Sequence, residues 1–326
     1  MWIILSKNRV YWFFKNEIKG TDLFMLDNTI KQDLLSLCPT AEFDCPMAQH
    51  TTFRIGGPAD CLINPTSKDE LLAVLRYARH NGIPVTVLGN CSNVLVCDGG
   101  IDGITIMINS GMSRVEVCGT TVKAEAGITM SSLAQVCTRA SLTGFEFASG
   151  IPGCLGGGIY MNAGAYNGEI GSITKSVDIL DEDLCPVTLT REQMHFAYRH
   201  TALSDRSVVV LGATLELAEG CSTQIAAQVS DYSRRRRDRQ PLTYPSAGST
   251  FKRPEGAFAA ALIDQAGLKG ATVGGAQVSQ KHAGFFINIG GATARDVLEL
   301  IKHVQDVVFE KNGIMLEPEI KIIGRR

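Results

Sequence analysis

Residues 87–96 read VLGNCSNVLV, an apolar run broken by Gly-Asn-Cys-Ser-Asn before a second apolar run begins. Gly89 permits a tight turn. Asn90, Ser92 and Asn93 place short polar side chains beside a concavity of backbone N–H groups, an arrangement that holds phosphate. Upstream, KDELLAVLRYARHNG (68–82) puts Leu71, Leu72, Val74, Leu75 and Ala78 on one helical face, with Gly82 as its stop. IPVTVLG leads into the turn, and NVLVC and GITIMIN follow it. Strands and a helix in that order predict a small α/β unit. Beyond it, RVEVCGTTVKAEAG (114–127) alternates on both sides of Gly119-Thr120, the pattern of a hairpin.

A second glycine-rich stretch, SGIPGCLGGGIYMNAGAYNGE (149–169), lets backbone approach a flat ligand closely. Neither stretch is a Walker P-loop or a GxGxxG dinucleotide fingerprint. Around them the pattern predicts a helix at 129–141, strands at KSVDIL and SVVVLGATLEL, and a helix at REQMHFAYR (191–199). A polar helix over 219–240 runs into Arg234–Arg237 and Arg239, and a domain break falls near residue 218. Further on come a helix at AFAAALIDQAG, a strand at GFFINIG, and a long helix over 293–313 with Ala294, Val297, Leu298, Ile301, Val304 and Val308 inward. IMLEPEIKIIG (314–324) reads as a closing strand. TYPSAGSTFKRP (243–254) is too punctuated for a regular element and reads as a tight turn, with Ser249 amid cationic side chains.

The 326 residues are 45% hydrophobic and 20% charged, with a formal net charge of −2, which argues against a general nucleic-acid binder. The ten cysteines are scattered without a CxxC pair, a pattern of neither a zinc site nor a disulfide framework, and they suit a reducing cytoplasm. MWIILSKNRVYWFFK is too short an apolar run to span a membrane. MLDNTIKQDLLSLCP, from Met25, reads like a fresh start, so residues 1–24 are either a poorly packed extension or a surface helix.

HTTFRIGGPAD (50–60), VLGNCSNVLV, GIPGCLGGGIYMNAGAY, YRHT (198–201), YPSAGSTFKRP, LKGATVGGAQVSQKHAGFFIN (268–288) and LEPEIKIIG (316–324) stand in the order of one family. The chain closely resembles the UDP-N-acetylenolpyruvoylglucosamine reductases, in their second type, which lacks an inserted loop before the C-terminal domain. The resemblance implies an α+β fold. Residues 51–218 would be an FAD-binding region of the vanillyl-alcohol-oxidase (PCMH) type, in subdomains of about 51–108 and 109–218. Residues 219–326 would be an α+β substrate-binding domain, and 1–50 an N-terminal segment.

It also implies non-covalent FAD, held by Leu88, Gly89, Asn90, Cys91, Ser92 and Asn93 and by Gly150, Ile151, Pro152, Gly153, Gly157, Gly158, Asn162, Ala163, Gly164 and Tyr166. NADPH would be the reductant and UDP-N-acetylglucosamine enolpyruvate the substrate of a monomer or weak dimer. No nucleic acid, metal or membrane insertion is expected. Cys91 stands where the family commonly has glycine, and Thr201 where it has serine.

By the same resemblance Ser249 gives a proton, Glu319 assists and Arg199 orients and polarises the substrate. Lys252, Arg239 and Tyr198 are expected to bind substrate. Hydride addition to an enolpyruvyl ether leaves carbanion character beside the carboxylate, basic enough to take a proton from a serine. A planar guanidinium suits the carboxylate. Glu317, two residues before Glu319, is the competing carboxylate. The rival expectation is another flavoenzyme of this cofactor fold, acting on a small alcohol or hydroxy acid. Bleaching of the flavin by NADPH rather than by an alcohol separates the two.

Overall fold

The computed structural model describes residues 26–326; the expectations for residues 1–24 lie outside the described residues. Helix α1 (Asn28–Leu37) starts where the Asp27 carboxylate accepts from the Ile30 N–H, and it buries Leu34. Strand β1 (Glu42–Pro46) pairs antiparallel with β2 (Pro58–Ile63). Helix α2 (Lys68–His80), capped by the Ser67 hydroxyl, buries Leu71, Val74, Leu75 and Ala78 of its expected face and leaves Leu72 half-buried. Then come β3 (Val85–Leu88), β4 (Val94–Val96) and β5 (Ile101–Met107). The first sheet runs β1-β2-β5-β3, with the last two pairings parallel. β1 and α1 belong to this unit, because Leu34 and Cys38 share one core with α2 and β5.

The expected hairpin is β6 (Val115–Cys118) and β7 (Thr121–Glu125). Helix α3 (Met130–Arg139), the short β8 (Leu142–Thr143) and a six-residue α4 (Leu155–Tyr160) follow. A tight pair, β9 (Gly164–Ala165) and β10 (Gly168–Glu169), precedes α5 (Ile170–Ile173). β11 (Thr174–Leu180), β12 (Pro186–Thr190) and β13 (Val209–Glu216) complete a five-stranded antiparallel sheet ordered β12-β11-β13-β7-β6. β14 (Ala218–Glu219) pairs with β8.

Helix α6 (Ser222–Arg239) packs on α3 and on the 3-10 turn at Glu146–Ala148, so it lies on the second unit although it follows the expected break near 218. The last unit is a four-stranded antiparallel sheet of β15 (Ser246–Ser249), β18 (Phe285–Asn288), β17 (Ala276–Val278) and β16 (Thr272–Val273). Helices α7 (Ala259–Gln265) and α8 (Ala294–Asn312) cover it, and β19 (Lys321–Ile323) returns to pair parallel with β4.

Four element expectations differ, the first being the closing strand of 314–324, which is regular only over Lys321–Ile323. The segment 191–199 forms turns, not a helix, because His195 (φ 44°) and Arg199 (φ 54°) leave helical space. The 243–254 stretch carries a strand, β15, bulged at Gly248 (φ 78°). In α8 it is Leu300 that is buried, while Leu298 is only half-buried.

Candidate active site

The turn between β3 and β4 is where the sequence places an anion cradle. Between Gly89 and Asn93 no backbone N–H donates to another described residue, which leaves five donors for a ligand. Cys91 sits there at φ 47°, the left-handed conformation that favours glycine, and is 3% exposed. Burial and then the neighbouring Cys154 push its thiol up to about 12.

The second glycine stretch folds directly against this cradle. A Cβ on Gly89 would lie 2.3 Å from the Cys154 sulfur, and one on Gly153 would lie 3.1 Å from the Ser92 hydroxyl. Gly158 and Gly164 have another reason to be small. Their added Cβ atoms would strike Met130 (2.2 Å) and the Gly168 carbonyl (2.7 Å), so these glycines serve packing within the protein. Gly150 lies beneath the Arg236 side chain, and nothing but the Cys154 sulfur at 4.0 Å stands near a Cβ on Gly157. Tyr166 stacks on Tyr232 with ring centroids 4.1 Å apart and donates its hydroxyl to the Tyr232 carbonyl.

Fully buried Asn162 connects this stretch to the Arg199 turn. Its amide donates to the Ala197 carbonyl (3.0 Å) and its oxygen accepts from the Gly171 N–H (2.9 Å). Paired backbone hydrogen bonds between Ala197 and His200 close the turn, and Arg199 projects from its tip. The Arg199 Nε donates to Glu319 at 2.6 Å, with both side chains largely buried. Its terminal nitrogens reach the Asn162 and Gly164 carbonyls only at 3.5 and 3.4 Å.

Ser249 arrives from the other side. β15 continues into an extended segment in which Phe251 opposes Pro318 and the Thr250 carbonyl accepts from the Glu319 N–H (2.8 Å). Ser249 is therefore next to the residue facing Glu319, and its half-buried hydroxyl has no partner among the described residues. Thr52 ties this strand to the cradle, donating from its N–H to the Cys91 carbonyl and from its hydroxyl to the Ser246 carbonyl. Asn93 ties the cradle to the segment bearing Glu319, donating to the Glu319 carbonyl (3.3 Å). The structure thus brings Arg199, Glu319 and the backbone of Ser249 together around the two glycine stretches.

The residues expected to bind substrate divide. Tyr198 is 54% exposed, and its hydroxyl accepts from the Arg253 N–H. Lys252 pairs with Glu317, which keeps that carboxylate apart from Arg199. Arg239 is exposed at the end of α6, and Arg234 and Arg235 pair with Asp231.

Two further cations stand out: Arg236, a member of the arginine cluster read from the sequence, and Lys321, which sequence reasoning missed. Arg236 lies against Gly150 with no acidic partner among the described residues, and burial lowers its pKa. Lys321 stands two residues after Glu319, and burial, then the charge of Lys252, lowers its pKa too. Which arginine of the run turns inward is set by the packing of α6 on α3 and the Glu146–Ala148 turn, so the run alone does not single out Arg236. Lys321 left no signal beyond its place in the motif.

Comparisons with known proteins bear on the family and the fold. Residues 59–183 match the FAD binding domain model, and residues 240–323 match the model for the C-terminal domain of UDP-N-acetylenolpyruvoylglucosamine reductase. The reductase of that name from Caldanaerobacter subterraneus subsp. tengcongensis is 49% identical over 86% of this chain and 93% of its own length. The chain belongs to the UDP-N-acetylenolpyruvoylglucosamine reductase family. The Clostridium perfringens reductase is 46% identical over 86% of this chain and 92% of its own length. The crystal structure of the Thermus caldophilus reductase superposes with a TM-score of 0.75 at 33% identity, covering 87% of this chain and 98% of that one. The fold is that of the family: an FAD-binding region in two subdomains with a C-terminal α+β domain. Among the described residues no helix is long and apolar enough to cross a membrane.

Proposed function

We propose that this protein reduces UDP-N-acetylglucosamine enolpyruvate to UDP-N-acetylmuramate, with FAD bound non-covalently and NADPH as the reductant. The observation that carries the reading is the Arg199–Glu319 pair, joined through Asn162 and Asn93 to the two stretches that meet at Gly89 and Cys154. The residues present fit FAD: five unpaired N–H groups would hold its pyrophosphate, and Gly150, Gly153 and Gly157 would let the backbone lie close to it. Bound FAD supplies the hydride.

The protein's own residues do the rest. Glu319 fixes one edge of the Arg199 guanidinium, leaving the terminal N–H groups to grip the substrate carboxylate and to stabilise charge beside it. Ser249, with its hydroxyl uncommitted, gives the proton. Lys321 and Lys252 ease the alkoxide that remains. Lys252 and Tyr198 contact the substrate. Arg236, rather than the exposed Arg239, meets the anionic part of a ligand over Gly150. One chain supplies Ser249, Arg199 and Glu319, which suits a monomer or weak dimer, and ten free cysteines suit the cytoplasm.

The test is Ser249→Ala in stopped flow. FAD content and reduction by NADPH should match the parent protein. Reoxidation of the reduced enzyme by the enolpyruvyl substrate should slow by ~10²–10⁴. Reoxidation at the parent rate would remove Ser249 from the chemistry.

A further inference from the structure

Away from the glycine stretches, three side chains of different chemistry converge at the edge of the first sheet. The Cys45 sulfur lies 3.2 Å from the His50 Nε2 and 3.6 Å from the Glu42 Oε2, and all three ligand atoms lie within 4.8 Å of one another. In a tetrahedral zinc site with bonds of ~2.0–2.3 Å, neighbouring ligand atoms sit roughly 3.3–3.7 Å apart, so two edges of the tetrahedron are already formed.

The local fold makes this convergence. Residues 42 and 45, an odd number apart, would face opposite sides of a regular strand. Asp44 between them has φ 52°, a local kink across which the Glu42 carboxylate still reaches the Cys45 sulfur. The 3-10 turn Met47–Gln49 then brings His50 back over Cys45. A left-handed aspartate on a strand is a strained feature of the kind that clusters at functional sites.

A catalytic cysteine arrangement fits these contacts poorly. There a carboxylate orients the far nitrogen of the imidazole, whereas here Glu42 touches the sulfur itself and disfavours a free thiolate. Three donors sharing one centre, with Glu42 exposed and Cys45 buried, leave the solvent side open to a fourth ligand.

We propose that Glu42, Cys45 and His50 bind one zinc-like divalent cation, with water as the fourth ligand. A thiolate, an imidazole and a carboxylate suit zinc, and on coordination the thiol proton passes to solvent. The site bears on the active centre through packing. Cys45 shares a core with Cys91 of the cradle, and Thr52, two residues beyond His50, holds the Cys91 and Ser246 carbonyls. The cation would clip β1 to the HTTFR segment and stiffen that connection.

The test uses the full-length, flavin-loaded protein, reduced with a phosphine, given zinc and desalted, with retained metal measured by mass spectrometry. Wild type should keep about one zinc per chain. Cys45→Ser and His50→Ala should lose it, with affinity weakened by at least ~10–100-fold, the cost of losing even an outer-shell partner. Exposed Cys221→Ser should keep it. Cobalt should give a thiolate charge-transfer band in the difference spectrum that vanishes in Cys45→Ser. Equal flavin content will show that the variants fold. Glu42→Gln, at an exposed position, serves if Cys45→Ser does not fold, and it too should weaken zinc. No retained zinc in wild type, or equal zinc in the ligand variants, overturns the proposal.

Discussion

At the residue scale the cysteines show how far environment decides chemistry. Cys118, Cys185 and Cys221 are exposed, and the other seven are buried. Burial drives Cys61, Cys91 and Cys137 from the ordinary 9.0 up to about 12, and burial with Glu42 drives Cys45 to about 11. Hydrogen bonds from Thr223 and Gln224 lower Cys221 instead. A chromogenic disulfide at pH 8 should therefore titrate three thiols of the native, metal-free protein, Cys221 first, and seven more only on unfolding. Raised folded-state pKa values also fix a sign. The four thiols add stability fully below pH 9, where both states are protonated, and lose it as pH rises from 9 toward 12. Denaturant midpoints measured at pH 8 and pH 10.5 should fall with pH. More than three fast native thiols would show that a unit holding buried cysteines opens readily.

At the scale of elements, the turn bearing Arg199 rests on one buried amide. Asn162→Ala would strand the Gly171 N–H and the Ala197 carbonyl, costing ~1–3 kcal/mol for the unpaired groups. Thermal midpoint should drop by a few degrees and turnover should fall, while FAD remains bound through the cradle. An unchanged midpoint, read by flavin fluorescence, would mean that the turn holds itself. This turn was also the least legible part of the sequence. Arg-Glu-Gln-Met has good helix formers, yet Phe196 packs against Gly171, and the Ala197–His200 closure overrides that local preference. Elements whose burial follows a single period, such as α2 and β7, could be read directly. The family was legible from motif order, whereas only the structure shows that Gly158 and Gly164 are small to admit Met130 and the Gly168 carbonyl. Which arginine of α6 turns inward depends on where α6 packs, which no local pattern records.

Over the whole molecule, the C-terminal unit is not self-sufficient, although its family match begins at residue 240. Its core includes Phe53, Ile55 and Leu95 from the first unit, each almost fully buried among α7, α8 and the last sheet. The Asp98 carboxylate accepts the Ala294 and Arg295 N–H groups at the start of α8. Asn288 reaches back to the Phe53 carbonyl, and among the described residues β19 has only β4 for a partner. At ~1.5–3 kcal/mol for each large apolar side chain, the three borrowed residues contribute about 5–9 kcal/mol. That is comparable to the whole stability of an ordinary domain, ~5–15 kcal/mol. A fragment of residues 240–326 should therefore be unfolded or aggregated alone, with narrow amide dispersion in NMR and no cooperative melt. Co-expression with residues 26–239 should restore a folded, flavin-binding complex, because that partner returns Phe53, Ile55, Leu95 and the Asp98 cap. A well-dispersed spectrum and a sharp melt from the isolated fragment would show that these contacts join two finished domains rather than complete one.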